Sequence, residues 1–194
     1  MPPDNARDNP PGPRLETGRL ILRLPQAQDF DDYAELMADE QAAHYIGGHL
    51  PRAAAWRKFL QMPGAWAIQG FAMFSVVEKS TGRWVGQMGP WHPEGWPGTE
   101  VGWAFKRSSW GRGYATEAAI AAIDWTFASL GRDEVIHSIH PDNRASQLLA
   151  KRLGSVNRGP GSLPAPTEDA PIDVWGQTRA QWQAYRAHDF SRGR

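Results

Sequence analysis

The period of the apolar positions changes several times along the chain, and each change marks an element. Arg19-Leu20-Ile21-Leu22-Arg23-Leu24 reads as a strand, with Leu20, Leu22 and Leu24 on one face, Ile21 turned to a second layer, and Pro25 as its end. Tyr33, Leu36 and Met37 then recur at helical spacing, one apolar stripe on a helix that Asp29 can cap. A second helix is expected to start near Pro51, which needs no N–H partner in a first turn, to carry Trp56, Phe59 and Leu60, and to stop at Pro63. Between them lies His44-Tyr45-Ile46-Gly47-Gly48-His49, an irregular aromatic link that could wall one side of a substrate groove.

From Phe71 the pattern becomes strand-like. Phe71 to Val77 and Arg83 to Met88, joined by the polar turn Lys79-Ser80-Thr81-Gly82, predict an antiparallel hairpin. His92 to Gly98 is a Pro- and Gly-rich loop. It leads to a short strand containing Glu100, Val101, Trp103 and Phe105, a basic turn rich in small residues, and a Pro- and Gly-free helix from Tyr114 to Leu130. A further strand, Glu134 to His140, and a helix capped by Asp142 or Asn143 and stopped by Gly154 follow it. Strand, helix and strand at such short spacing predict a right-handed crossover between parallel strands around 100–106 and 134–140. Residues 155–171 read as loop, 172–175 as a last strand and 178–188 as a terminal helix.

Composition narrows the picture. The 194 residues fit one domain, expected over 14–188, with Pro-rich residues 1–13 as a tail and 189–194 as a second tail. The absence of cysteine excludes disulfides, thiolate metal sites and a cysteine nucleophile. With no run of about eighteen apolar residues and no signal-peptide pattern, a cytoplasmic protein with no membrane partner is expected. Lys plus Arg balances Asp plus Glu at 21 each, so no global field gathers nucleic acid. The 10 tryptophans are spread from Trp56 to Trp182, which suits a packed core and groove walls better than one stacking platform.

Trp110-Gly111-Arg112-Gly113-Tyr114 opens the long helix, where unpaired backbone N–H groups converge on a place for phosphate. A dinucleotide fingerprint would need glycine where Thr116 stands, and a P-loop would need Gly-Lys-Ser/Thr. A tight turn using two glycines without a ligand stays open, and the Arg112 guanidinium could meet phosphate or simply face solvent. His137 and His140, three apart in a strand, face oppositely and form no metal pair; His92 is a loop histidine, and no serine has a nucleophile-elbow sequence. Asp124 and Trp125 are assigned to helix packing, the latter with Ala118, Ala122 and Ile123.

Glu100-Val101-Gly102-Trp103, the run Trp110 to Ala118, and Asn143-Arg144-Ala145-Ser146 before Leu153-Gly154 together resemble the GNAT superfamily of acyl-CoA-dependent N-acyltransferases. Within it, the chain is similar to the ribosomal-protein N-acetyltransferase, or RimJ/RimL-like, type over roughly residues 15 to 183. The resemblance implies an α/β fold (mixed α+β) of three layers, with a mixed, mostly antiparallel central sheet and a splayed parallel strand pair that admits acyl-CoA. It implies that backbone donors of Ser109, Trp110, Gly111, Arg112, Gly113, Tyr114 and Ala115 cradle the CoA pyrophosphate. It also implies that Ala104, Phe105 and Lys106 pair with the pantetheine arm, that Asn143 lies near that arm, and that Ser146 lies near the thioester. Ser108 departs from the polar residue usual at the start of that motif, and Trp175 stands where some relatives carry a tyrosine acid.

Glu100 can take a proton from the attacking amine, directly or through water, or be an ordinary edge carboxylate. Ser146 can donate to the leaving sulfur or cap its helix. The expected activity is direct transfer of acetyl from acetyl-CoA to a primary amine of a small molecule or a protein N-terminus, without a metal, by a monomer or homodimer. An aromatic path of Tyr45, Trp91, Trp96 and Trp103 would suit a small acceptor. A noncatalytic acyl-CoA-binding or regulatory module and a turn for another nucleotide are the competing readings.

Overall fold

The computed structural model describes residues 12–192. In chain order it forms β1 (Leu15–Glu16), β2 (Leu20–Arg23), α1 (Phe30–Ala38), α2 (Glu40–Ala43), α3 (Arg52–Phe59), α4 (Gln61–Gln69), β3 (Phe74–Glu78) and β4 (Trp84–Trp91). There follow β5 (Glu100–Phe105), α5 (Tyr114–Leu130), β6 (Glu134–Ile139), α6 (Arg144–Arg152), β7 (Val156–Gly161), β8 (Ile172–Thr178) and α7 (Arg179–Arg192). The expected tail at 1–13 lies outside the described residues up to position 11, as do positions 193 and 194 of the other expected tail. No helix among the described residues is long and apolar enough to cross a membrane.

One eight-stranded sheet, in the order β1-β2-β3-β4-β5-β6-β8-β7, separates two helical layers. Period-two alternation decides which side chain enters which layer. Val85 and Phe105 face the α5 layer with Leu20, Leu22, Ala118, Ala122 and Ile123, whereas Trp84 and Ala104 face Tyr33, Met37 and Phe59 of α1 and α3. Alanines 118, 119 and 122 are fully buried, so α5 sits close against the sheet and its first turn is held in place. Trp125 packs against Trp66 and Phe74, and Asp124 accepts a 2.7 Å bond from Trp182 Nε1, tying α7 to α5.

Four local expectations need correction. Asp29 stands at the start of α1 without capping it, because its buried carboxylate takes Arg23 Nη1 and Nη2, the Gln26 N–H and the Ser75 hydroxyl. Pro63 does not end the second helix. The chain starts a new one at Gln61 and places Pro63 in its first turn, where no intrahelical N–H is needed. Part of the 155–171 loop is strand β7, an exposed edge where Pro160 withholds an N–H at little cost and Gly159, at φ +99°, sits at an irregularity in the register. The first strand also gains a short partner, β1, pairing Leu15 with Leu22.

Neighbouring strands are antiparallel except β5 and β6, which run parallel and meet in register only at Glu100 and Ile136. Beyond that pair the two strands part. A side chain then spans them: His137 Nδ1 donates to Val101 O at 2.7 Å, and Nε2 is 3.0 Å from Ser155 Oγ. Burial drops the His137 pKa from 6.5 to about 4, so the folded protein keeps the ring neutral. Between those values the unfolded chain binds the extra proton, so stability must fall as pH drops from about 6.5 toward about 4. The contribution is roughly 3 kcal/mol for a shift of this size. Urea unfolding across that range should show the acid slope, and His137→Gln should flatten it; an unchanged slope in the variant would refute the assignment.

Candidate active site

The turn before α5 is shaped by two glycines. Gly111 and Gly113 have φ of +72° and +78°, which side-chain-bearing residues rarely adopt. Residues 110–113 are exposed, while Ser109 and Tyr114 on either side are buried. Ser109 and Trp110 N–H groups close a 3-10 turn on Lys106 and Arg107, and the helix ladder begins with Glu117 N–H to Gly113 O at 3.1 Å. The amides of Tyr114, Ala115 and Thr116 therefore have no carbonyl in the helix to bond, and they sit beside the exposed glycines. A turn of this shape can hold an anion.

Side chains around the turn fix it rather than fill it. Arg19 Nη1 bonds Arg112 O at 2.9 Å, and its guanidinium also pairs with Glu117 at 2.7 Å. The Arg112 guanidinium, a candidate phosphate partner, instead reaches Glu78 at 2.7 Å and lies over the Tyr114 ring. Glu78 also accepts from the Tyr114 hydroxyl, which is the main reason its carboxyl sits below the ordinary range. Trp110 Nε1 bonds Phe105 O at 2.9 Å, joining the turn to the end of β5.

Backbone alternation refines the expected edge at Ala104, Phe105 and Lys106. Lys106 N–H bonds Val85 O of β4, and a Cβ added to Gly86 of β4 would lie 2.5 Å from Ala104 O. Thr99 O and Val101 O face β6 instead. Odd positions of β5 thus turn toward the gap, so Trp103 and the Phe105 N–H offer the edge, the Phe105 carbonyl being taken by Trp110, while Ala104 and Lys106 bond the other way. The Lys106 ammonium is taken up by Asp32 and Glu35 of α1.

Between the parting strands lies a cavity of about 720 Å³ that runs along β5 from Glu100 to Ala104. Glu100, Ser146, Asn143 and Ala104 line it, as do all four aromatics Tyr45, Trp91, Trp96 and Trp103. His44 to Gly47, the irregular link between α2 and α3, forms part of its wall; His92, bonded to Thr99 Oγ1, does not. Glu100 is buried, and that burial raises its pKa. Trp96 Nε1 donates to its Oε2 at 2.7 Å, and Ser138 alongside pulls in the same charge-favouring direction, although the Ser138 Oγ falls short of hydrogen-bond geometry. A buried carboxyl of raised pKa facing a cavity can act as a base near neutral pH.

Of the two roles open to Ser146, capping falls to a neighbour. Asn143 Oδ1 accepts the Ser146 N–H at 3.1 Å, leaving the Ser146 hydroxyl to accept Trp103 Nε1 at 3.0 Å and face the cavity. The Trp175 ring is buried among Ile139 and Ala150, its Nε1 without a hydrogen-bond partner among the described residues. His137 is buried and His140 lies nearer the surface against Tyr45, and no group of three or more His, Asp or Glu among the described residues is placed to hold a metal. The role of Trp96 toward Glu100, the presence of Ser138, and Lys58 in the cavity wall were not foreseen. Trp96 follows Pro93 in a loop, and Lys58 stands beside Arg57 at the basic end of a helix, where nothing distinguishes it from a solvated lysine.

A family model for the acetyltransferase (GNAT) domain matches residues 19–156. The chain is 28% identical over 148 residues to the uncharacterized N-acetyltransferase p20 of Bacillus licheniformis, covering 75% of this chain and 83% of that one. The crystal structure of an acetyltransferase from Agrobacterium tumefaciens str. C58 superposes with a TM-score of 0.75 at 32% identity, covering 86% of this chain and 95% of the other. The aminoglycoside acetyltransferase AAC(6')-Ib in complex with coenzyme A shares the fold, with a TM-score of 0.70 at 18% identity over 86% of this chain and 99% of that one. Family match, strand order and the glycine turn agree: this chain belongs to the GNAT family of acetyltransferases.

Proposed function

We propose that the chain transfers acetyl from acetyl-CoA to a primary amine by direct attack. The observation that carries this reading is the layout of β5: an exposed turn with unpaired amides follows its end, and a cavity runs along it back to a buried carboxyl at its start. The six residues of β5 set the carboxyl roughly 17 Å of extended strand from the turn. The CoA pyrophosphate would take the amides from Gly111 to Thr116, and its arm would pair with Trp103 and Phe105. The thioester then lies beside Glu100 and Ser146. Coenzyme A bound to a structural neighbour supports the same cofactor.

In the reaction the amine lone pair forms the N–C bond, and the C–S pair leaves with the sulfur. Glu100, directly or through water, takes the proton that the nitrogen loses, and Ser146 can hydrogen-bond the departing thiolate. No cysteine exists to carry the acetyl group, so positioning rather than a cysteine-bound intermediate must supply the rate. Kinship with RimJ/RimL-like enzymes belongs to this reading and rests on the Trp110 to Ala118 run; it would make a protein N-terminus the acceptor. Tyr45, Trp91, Trp96 and Trp103 around the cavity favour a small amine.

Glu100→Gln should lower turnover by roughly 10²- to 10⁴-fold while leaving CoA affinity unchanged, with part of the loss regained at high pH. Burial raises the Glu100 pKa, so stability is lost as pH rises from the unfolded value up to the folded one. Thermal melts at neutral pH should therefore show the Gln variant at least as stable as the parent. Unchanged turnover would remove Glu100 as the base. Binding of CoA with no amine-dependent thiol release across an amine and peptide panel would instead mark a noncatalytic acyl-CoA binder.

Gly113→Glu should weaken CoA binding by roughly tenfold or more, because a charged side chain is forced at φ +78° beside the anion. Gly113→Ala separates the backbone strain from the charge. Calorimetry on a folded Glu variant that still binds CoA as tightly as the parent would contradict the placement.

A further inference from the structure

Charges lining the cavity narrow the class of acceptor. Lys58 reaches the wall from α3, half-buried, and its Nζ bonds the Ile46 carbonyl in the irregular α2–α3 link. An ammonium offers three donors, and Ile46 uses one. No carboxylate among the described residues stands within ion-pair reach of it. Burial pushes its pKa down, the mark of a cation that has lost water without gaining a counter-charge.

Across the rest of the lining, Glu100 is the one carboxyl among the described residues, and the proposed reaction already engages it. Such a wall has little to offer a polycationic amine, which would need several carboxylates to replace its water. It has an unmatched positive group to offer an anion.

We propose that the acceptor is a small amine bearing a carboxylate, with Lys58 pairing the carboxylate and the amino group directed to Glu100. The proposal deepens the acetyltransferase reading and rests on it for the identity of the reacting end. A charge-assisted bond of this kind is worth roughly tenfold to a hundredfold in affinity over an uncharged amide of the same shape.

The test is binding to the CoA-saturated full chain, followed by the fluorescence of Trp91, Trp96 and Trp103, which line the cavity. The probes are the standard amino acids, each beside its own carboxamide, with spermidine as the polycation. At least one acid should bind roughly tenfold or more tightly than its carboxamide and than spermidine. Lys58→Met should erase the difference and Lys58→Arg should keep part of it. Carboxamides or spermidine binding as well as the acids, no binding by any amino acid, or a preference that survives Lys58→Met would each overturn the proposal. Thiol release measured on the same panel separates the two claims. Acid-selective binding without release sinks the transferase reading alone, whereas release indifferent to the carboxylate sinks this one alone.

Discussion

The parting of β5 from β6 after a single registered pair is the constraint on which the rest of the structure depends. A parallel pair that stayed zipped would bury the backbone of Trp103 and Phe105 in a ladder and leave no cavity. Opening it leaves polar backbone groups without strand partners, so the opening must be held. His137 does so by bonding Val101 O and Ser155 Oγ from within the core, neutral because it is buried. Ile136 N–H to Thr99 O ties the two strands together where the gap begins.

Everything around the gap is arranged along one strand. Close packing of Ala118, Ala119 and Ala122 fixes α5 on the sheet, and so fixes the glycine turn at its start. Arg19 paired with Glu117 and Arg112 paired with Glu78 brace that turn, which leaves its exposed amides as the available donors. At the start of β5, Trp96 bonds the Glu100 carboxyl, and the loop before β5 lines the cavity through Pro93 and Trp96. The proposed anion site and the proposed base are separate pieces of chemistry, and their spacing is set by the rise of an extended chain.

The parts most legible in the sequence were those with strong local physics. Glycines at 111, 113 and 131 bracket α5 because only glycine adopts their positive φ without strain, and period-two alternation located the central strands. The turn and the helix bounds followed from that punctuation. Strand β7 was not legible, since an exposed edge with Pro160 and Gly159 carries no apolar alternation, and Pro63 misled because its position within a helix decides its effect. In the candidate site, Glu100, Asn143 and Ser146 could be picked out by motif and share one cavity. Lys58, Ser138 and the bond from Trp96 to Glu100 could not, because their meaning arises from a neighbour brought in from elsewhere in the chain.

Amide hydrogen exchange with and without CoA tests the central claim most directly. If the amides at the start of α5 hold the pyrophosphate and the β5 edge holds the arm, CoA should slow exchange at residues 111–116 and at Trp103 and Phe105. Tight CoA binding that left those amides exchanging at their free rates, or slowed others instead, would contradict the account.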